Sequence, residues 1–287
     1  MTINDFIAGW LAGGAGIFLG YPLDMVKTRL QVDGQQYRGI LHCFGDALKK
    51  EGIKGIYKGV TAPCLFAGLQ HSLMFTGYAT TLHLMHPGEA NVDARKDLPI
   101  LEIMIASVIG SMVQLGPSIP VEVVKTKLQF QSEIYTSNSA RYQGPFDCAR
   151  KLLKTKGIRE LYKGGNVMAF RDCFGNLFYL PVYESLHKIL RDRGSNTTTA
   201  QLISGGCAGS ISWLSICPLE VVKSRMQTAE TKVSAVQVTK EIWEKDGFRA
   251  FYRGGLSMVL RGFPANAVIF LVYEQTLMLL EKNRKEK

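Results

Sequence analysis

No Asp, Glu, Lys or Arg occurs in residues 6–23, 59–88, 103–121 or 194–219. Each of these runs reaches or approaches the ~20 residues a helix needs to cross a bilayer. Four of them, rich in glycine, argue against a soluble core as their common explanation. Cysteine is scarce and unpatterned: Cys43, Cys64, Cys148, Cys173, Cys207 and Cys217 show no C-x-x-C spacing and no histidine cluster beside them. That leaves no framework for a metal site or a disulfide scaffold, and free thiols suit a reducing compartment. The stretch Met1 to Phe6 has no basic region and no Arg/Ser-rich presequence, so targeting is expected to be internal. There is no nucleophile–base pair and no phosphate-cradling loop, so an enzyme has no footing and no cofactor is expected.

The net charge of +10 raises nucleic acid as a partner, and its distribution argues otherwise. Residues 27–58 carry seven Lys/Arg against three acids, 125–163 nine against three, and 223–253 seven against four. The intervening stretch 83–102 has two bases and four acids. Strongly positive loops alternating with weakly charged ones are the pattern of a chain that crosses a membrane repeatedly, its basic loops on one face. No basic-aromatic module for bases accompanies them. The basic surface is expected to meet anionic lipid and anionic solutes, with no nucleic-acid partner.

What the chain does have, it has three times. Pro22-Leu23-Asp24-Met25-Val26-Lys27-Thr28-Arg29-Leu30-Gln31 recurs at Pro120–Gln129 and again at Pro218–Gln227, each copy 98 residues after the last. Every copy has an acid two residues after the proline, a base five after and a glutamine nine after. One match would be weak; three in one register mark a triplicated architecture. The same interval relates Gly9/Gly13 to Ser107/Ser111 and Gly205/Gly209, a small-xxx-small pair of the kind that lets membrane helices pack closely.

In chain order, residues 4–31 are expected to form one helix kinked at Pro22. Residues 40–50 follow as a short amphipathic surface helix. Next comes an acid-glycine, aromatic-basic-glycine box: Glu51-Gly52 to Tyr57-Lys58-Gly59, Lys156-Gly157 to Tyr162-Lys163-Gly164, and Asp246-Gly247 to Tyr252-Arg253-Gly254. Such a box suits an interfacial anchor and a helix start able to hold a lipid phosphate, with a plain turn as the alternative. The second spans run over about 60–86, 165–190 and 255–280. The expected outcome is an all-α membrane protein of six spans in three pairs, with repeats at 1–95, 96–196 and 197–287 and both termini on one side.

These two boxes, repeated along essentially the whole chain, resemble those of the mitochondrial carriers of the inner membrane. The resemblance implies a multi-pass barrel of six transmembrane helices with pseudo-threefold symmetry and three short matrix-side helices. It implies a monomer that exchanges or passes a small metabolite and binds a cardiolipin-like anionic phospholipid at Gly52, Gly59, Gly157, Gly164, Gly247 and Gly254. Two departures stand out: Lys156 occupies the acidic position of the second box, and the third repeat lacks the Tyr-x-Gly seen at Tyr37–Gly39 and Tyr142–Gly144.

Acid and base lie three apart in each proline box, so they could pair within their own helix. Three kinked helices meeting at one end would instead place each acid beside the next repeat's base: Asp24–Lys125, Glu122–Lys223 and Glu220–Lys27, braced beneath by Gln31, Gln129 and Gln227. Such a ring, paired when closed and hydrated when open, is a two-state gate. The resemblance assigns it to the matrix side. The opposite gate is thin. The family's aromatic-acid boxes fall at Tyr78-Ala79, Tyr183-Glu184 and Tyr273-Glu274, and their basic positions hold Leu82, His187 and Leu277. Tyrosine hydrogen bonds are expected to stand in for ion pairs there, easing uniport.

A threefold scaffold must bind an asymmetric solute with residues that break the threefold. Seven residues after Gly59, Gly164 and Gly254 stand Phe66, Arg171 and Arg261; eight after stand Ala67, Asp172 and Gly262; eleven and twelve after stand Gln70/Gly175/Ala265 and His71/Asn176/Asn266. Charges inside a membrane mark a substrate path more often than a structural pair. Arginine offers a fork for a carboxylate and Asp172 an acceptor for an ammonium, with Phe66 and Tyr179 as candidate cation–π surfaces. Arg171, Asp172, Arg261, Gln70 and Asn176 are thus the expected substrate contacts, and a zwitterionic or cationic amino-acid-like solute the expected substrate. The Arg-Asp pair followed by Arg261 is similar to carnitine/acylcarnitine carriers and to basic amino acid carriers. A carrier for a carboxylate or nucleotide, or a non-transporting scaffold of the same fold, are the alternatives.

Overall fold

The computed structural model describes residues 3–87, 98–131, 142–194 and 196–285, and they are helical, with no strand among them. Six helices are long: α1 (Ile3–Asp33), α3 (Thr61–Met85), α4 (Ile100–Phe130), α7 (Gly165–Asp192), α8 (Thr197–Thr228) and α10 (Gly255–Lys285). Between them lie the shorter α2 (Ile40–Ile56), α5 (Pro145–Lys156), α6 (Ile158–Leu161) and α9 (Ala235–Asp246). Pro22, Pro120 and Pro218 lie inside α1, α4 and α8, which run on through them.

The long helices close into a ring. α1 packs on α3, α3 on α4, α4 on α7, α7 on α8, α8 on α10, and α10 back on α1. The largest contacts join one repeat to the next, at α1–α10, α3–α4 and α7–α8; those within a repeat are leaner. Glycines allow the closest approaches. A Cβ on Gly77 would meet the Cα of Gly110 at 2.9 Å, one on Gly68 the ring of Trp10 at 2.9 Å, and one on Gly16 the side chain of Ile269 at 2.5 Å. The glycines of the repeated small pair do this only in part: an added Cβ on Gly13 would lie 3.7 Å from the His71 ring and 3.8 Å from Ala67 Cβ on α3, while Gly9, Gly205 and Gly209 have nothing within 4 Å among the described residues. The expectation of close packing is corrected for those three.

The three largest buried clusters repeat with the chain and lie at the proline-box end. Met25, Val26 and Leu30 pack on Cys43, Ala47 and Ile56. Val123, Val124 and Leu128 pack in the same way on Cys148, Leu152 and Leu161, and Val221, Val222 and Met226 on Val238, Ile242 and Phe251. Burial pushes the Cys43 and Cys148 thiols up to about 12, so both are packing residues and poor nucleophiles. The short helices end on glycines that only glycine suits: Gly52, Gly157 and Gly247 have φ of 67°, 78° and 71° with ψ near 180°, a region closed to residues with a Cβ. Gly52 breaks α2 into two pieces, which is why the helix extends past the expected residue 50.

Away from this core the ring is apolar outside. Leu11, Phe18, Leu65, Phe170, Leu256 and Leu271 are all more than half exposed. Two helices, Ile100–Phe130 and Ile203–Thr228, are long and apolar enough to cross a membrane, with mean hydropathy of 1.6 and 1.2. The charge-free run 59–88 does not reach that level, because freedom from charge is not apolarity: glycine, threonine and histidine dilute it.

Candidate functional site: an ion-paired floor beneath two arginines

Where α1, α4 and α8 converge, the three proline boxes meet. Lys125 Nζ donates to Asp24 Oδ2 at 2.7 Å, Lys223 Nζ to Glu122 Oε1 at 2.9 Å, and Lys27 Nζ to Glu220 Oε2. Each pair joins one repeat to another. The pairing within a helix occurs once, between Lys223 and Glu220 at 3.0 Å. Below the ring, Thr28 Oγ1 donates to Gln129 Oε1 and Ser224 Oγ to Gln31 Oε1, both at 2.8 Å. Gln227 is fully buried, and neither atom of its amide has a partner among the described residues. The floor is therefore threefold in plan and uneven in fact.

The two arginines reach down onto this floor. Arg171 Nε donates to Asp172 Oδ1 at 2.7 Å, and its Nη1 donates to Glu220 Oε1. Arg261 Nη1 donates to Asp24 Oδ1, and its guanidinium lies 5.6 Å from the ring centroid of Trp213. Thus Glu220 accepts from three cations, Asp24 from two and Glu122 from one. Gln70 is half-buried on α3. The side chain of Asn176 lies outside the described residues.

Toward the other end, Tyr183 stacks between Tyr179 and His187 along α7, with centroid separations of 6.1 and 5.6 Å. Tyr273 is half-buried on α10, and the side chains of Glu184 and Glu274 lie outside the described residues.

Around the rim of the floor, a second set of ion pairs ties each proline-box helix to its short helix. Arg29 pairs with Glu51 at 2.7 Å, Lys127 with Glu160 at 3.2 Å, and Arg225 with Asp246 at 2.6 Å. Sequence reasoning missed this set, although its signal was present: Arg29, Lys127 and Arg225 each lie seven residues after their proline. The boxes' own bases join it, Lys58 to Glu51 at 2.7 Å and Lys163 to Glu160 at 3.7 Å. Glu160 therefore does in the second repeat what Glu51 and Asp246 do in the others, and Lys156 instead donates to the carbonyl of Glu230 at 2.7 Å. Lys58 and Gly59, with Leu128 and Tyr142 to Pro145, also line a cavity of about 440 Å³ between the starts of α3 and α5.

The rim carries a pH dependence. Burial opposes ionisation of Asp246, but hydrogen bonds from Arg225 and Gln35 outweigh it and hold the carboxyl below its usual range. A depressed folded-state value stabilises the fold above the ordinary carboxylate value of ~4 and ceases to do so as pH falls through the folded-state value. Asp246→Asn is therefore expected to lower the unfolding midpoint at pH 7, with the gap to wild type closing below about pH 4. Thermal unfolding in detergent across that range checks it; a gap independent of pH contradicts it.

The comparisons with known proteins give the class. A family profile described as "Mitochondrial carrier protein" matches residues 1–88, 96–194 and 194–284. The chain is 34% identical to mitochondrial substrate carrier family protein S of Dictyostelium discoideum, over 97% of this chain and 98% of that protein. It is 32% identical to solute carrier family 25 member 48 of Mus musculus, over 97% and 95%. It is 33% identical to solute carrier family 25 member 45 of Homo sapiens, over 96% and 99%. This chain belongs to the mitochondrial carrier family, whose members are transporters of the mitochondrial inner membrane and not enzymes.

Proposed function

We propose that this chain crosses the inner membrane six times and carries a small zwitterionic or cationic amino-acid-like metabolite by alternating access. Basic amino acids, methylated amino acids, carnitine, acylcarnitines and related betaines form the candidate class. The carrying observation is that Arg171, Asp172 and Arg261 break the threefold, and that the two arginines bond directly to floor acids, Arg171 to Glu220 and Arg261 to Asp24, while Asp172 holds Arg171. A solute that engages the arginines must loosen the floor, and a floor that opens must release the solute; the two events share the same carboxylates.

Membrane placement follows from the surface. Besides the apolar outside of the ring, the short helices expose three apolar rows in register: Leu41, Leu48 and Ile53; Phe146, Leu153 and Ile158; Val236, Trp243 and Phe248. Apolar patches of this extent require cover, and an interfacial helix finds it at the bilayer surface. The proline-box floor then faces the matrix as its gate. Tyr183, Glu184, His187, Tyr273 and Glu274 would form a weaker gate on the cytoplasmic side. The Lys58–Pro145 cavity offers a base and two helix starts to the phosphate of an anionic, cardiolipin-like phospholipid. We read the working unit as a monomer.

The test is uptake into proteoliposomes of radiolabelled ornithine, lysine, trimethyllysine, carnitine, choline, ADP and malate. Wild type is run beside Asp172→Asn and Arg261→Ala. Uptake of a zwitterion or cation, abolished by both substitutions, supports the reading. Uptake of ADP or malate alone turns it toward an anion carrier, and a folded protein that moves nothing toward a scaffold.

A further inference from the structure

The two arginine corners are built on one plan and lined differently. Arg171 on α7 lies at the position equivalent to Arg261 on α10, and each bonds to the proline-box acid of the next repeat. Around Arg171 the equivalent positions on α4 and α8 are Leu115 and Ile216; around Arg261, on α8 and α1, they are Trp213 and Gly20. The third corner has Ile17 and Ser118 beside Phe66. Trp213 stacks on the guanidinium at 5.6 Å, and Gly20 leaves room for its stem, since an added Cβ would stand 3.1 Å from Arg261 Cγ. The neutralising partners differ too. Arg171 is doubly held, by Asp172 and Glu220, while Gly262 stands where a second Asp172 would be, so among the described residues Arg261 is paired with Asp24 alone. Arg261 is the arginine a solute can draw away.

We infer that Trp213 and Asp24 form the subsite for the solute's cationic group, and that Arg261 occupies it in the closed, empty carrier. An aromatic face beside a carboxylate oxygen is the arrangement that recognises ammonium and quaternary ammonium groups. Asp24 is suited to the exchange because its two oxygens are separately engaged: Oδ2 with Lys125, and Oδ1 with Arg261. When the solute's carboxylate takes the Arg261 fork, Oδ1 and the Trp213 face are vacated together. The solute's own cation then enters where the guanidinium was.

Charge counting favours a zwitterion. The solute's cation replaces Arg261 at Asp24, the solute's carboxylate replaces Asp24 at Arg261, and the corner stays as neutral as before. A dicarboxylate would draw off Arg261 and leave Asp24 Oδ1 unpaired; a plain cation would leave Arg261 unpaired. Either leaves one charge of the corner without its counter-charge. Asp172, expected from the sequence to receive the ammonium, is instead bonded to Arg171 through Nε and Nη2. This inference rests on the carrier reading above and names the part of the site that selects the solute.

The experiment uses the purified full-length carrier and trimethylammonium carboxylates of increasing length: glycine betaine, carnitine and trimethyllysine. Each is paired with its isostere in which a tert-butyl group replaces the trimethylammonium. Affinity is read from the ligand-dependent rise in unfolding temperature, and uptake from proteoliposomes. Wild type should bind at least one member on the order of tenfold more tightly than its isostere. Trp213→Phe should shrink that preference, and Trp213→Leu, which copies Leu115, should shrink it further to the share that Asp24 alone supplies, while leaving affinity for the tert-butyl isostere within about twofold, since Leu offers comparable apolar contact. A preference unchanged across Trp, Phe and Leu, or no preference in wild type, overturns the subsite. If zwitterion uptake continues with its preference intact in Trp213→Leu, the subsite fails and the carrier reading stands. If wild type takes up no zwitterion or cation, the carrier reading itself fails. Should Trp213→Leu not fold, the comparison of Trp with Phe still decides.

Discussion

Glu220→Gln is expected to abolish transport and to destabilise the protein more than either Asp24→Asn or Glu122→Gln. A threefold ring would make the three substitutions equivalent, and the observed ring does not. Glu220 is wholly buried and accepts from Lys27, Arg171 and Lys223. Neutralising it leaves Lys27 without its acid and reduces Arg171 to Asp172 and Lys223 to Glu122. Removing one partner of a buried ion pair costs about 3–5 kcal/mol, because the remaining charge has neither water nor a counter-charge. Glu122 engages a single cation and its side chain is 27% exposed, so water offsets much of its loss. Asp24 falls between, with two cations of which Arg261 is 32% exposed. The predicted order of lost stability is Glu220, then Asp24, then Glu122, measured by thermal unfolding at neutral pH. Uptake should fall on the order of 100-fold or more in Glu220→Gln, as about 3 kcal/mol in a gating equilibrium implies. Equal losses at the three positions would contradict the uneven floor, and Glu220→Asp should recover part of both properties.

The unevenness gathers on α8. Glu220 there is the most heavily engaged acid, and Gln227 two turns on is the brace without a partner among the described residues. A floor that opens in response to an asymmetric solute need not open symmetrically. The repeat-to-repeat contacts of α8, with Arg171 of α7 on one side and Lys27 of α1 on the other, are where the floor is most heavily paired.

Much of this was readable in the chain because repetition turns weak local signals into strong ones. The 98-residue interval placed Asp24, Glu122 and Glu220 at equivalent positions, and a ring of three helices then left the next repeat's lysine as the natural partner. The broken-symmetry positions Arg171, Asp172 and Arg261 followed from the same register. What the register could not show was reach. An arginine side chain is long enough to bond to an acid on the neighbouring helix, so the broken-symmetry and floor-forming groups, separate in sequence, share carboxylates in space. Trp213 was overlooked for a related reason: on an apolar helix a tryptophan reads as packing until a guanidinium is found on its face. The small-residue pairs held at Gly13 and failed at Gly9, Gly205 and Gly209, since interval alone does not say which side of a helix meets a neighbour.

The second rim acid tests how far equivalence of position can be trusted. Sequence comparison between repeats puts Lys156 where Glu51 and Asp246 stand, and suggests a defect. The structure instead brings Glu160, four residues later and buried, onto Lys127 and Lys163. Glu160→Gln should cost on the order of 3 kcal/mol, because it strands Lys127 with no other acid among its described partners. Lys156→Glu should change stability by no more than about 1 kcal/mol, since Lys156 is exposed and gives up a single bond to the Glu230 carbonyl. The informative variant is the double one. A glutamate at position 156 stands where Glu51 reaches Arg29 and Asp246 reaches Arg225, so it should reach Lys127 once Glu160 no longer holds it. Lys156→Glu is then expected to recover more than half of the stability lost in Glu160→Gln, read as the unfolding midpoint in detergent. No recovery would mean that the second repeat has rebuilt its rim around Glu160 so far that the original position can no longer serve.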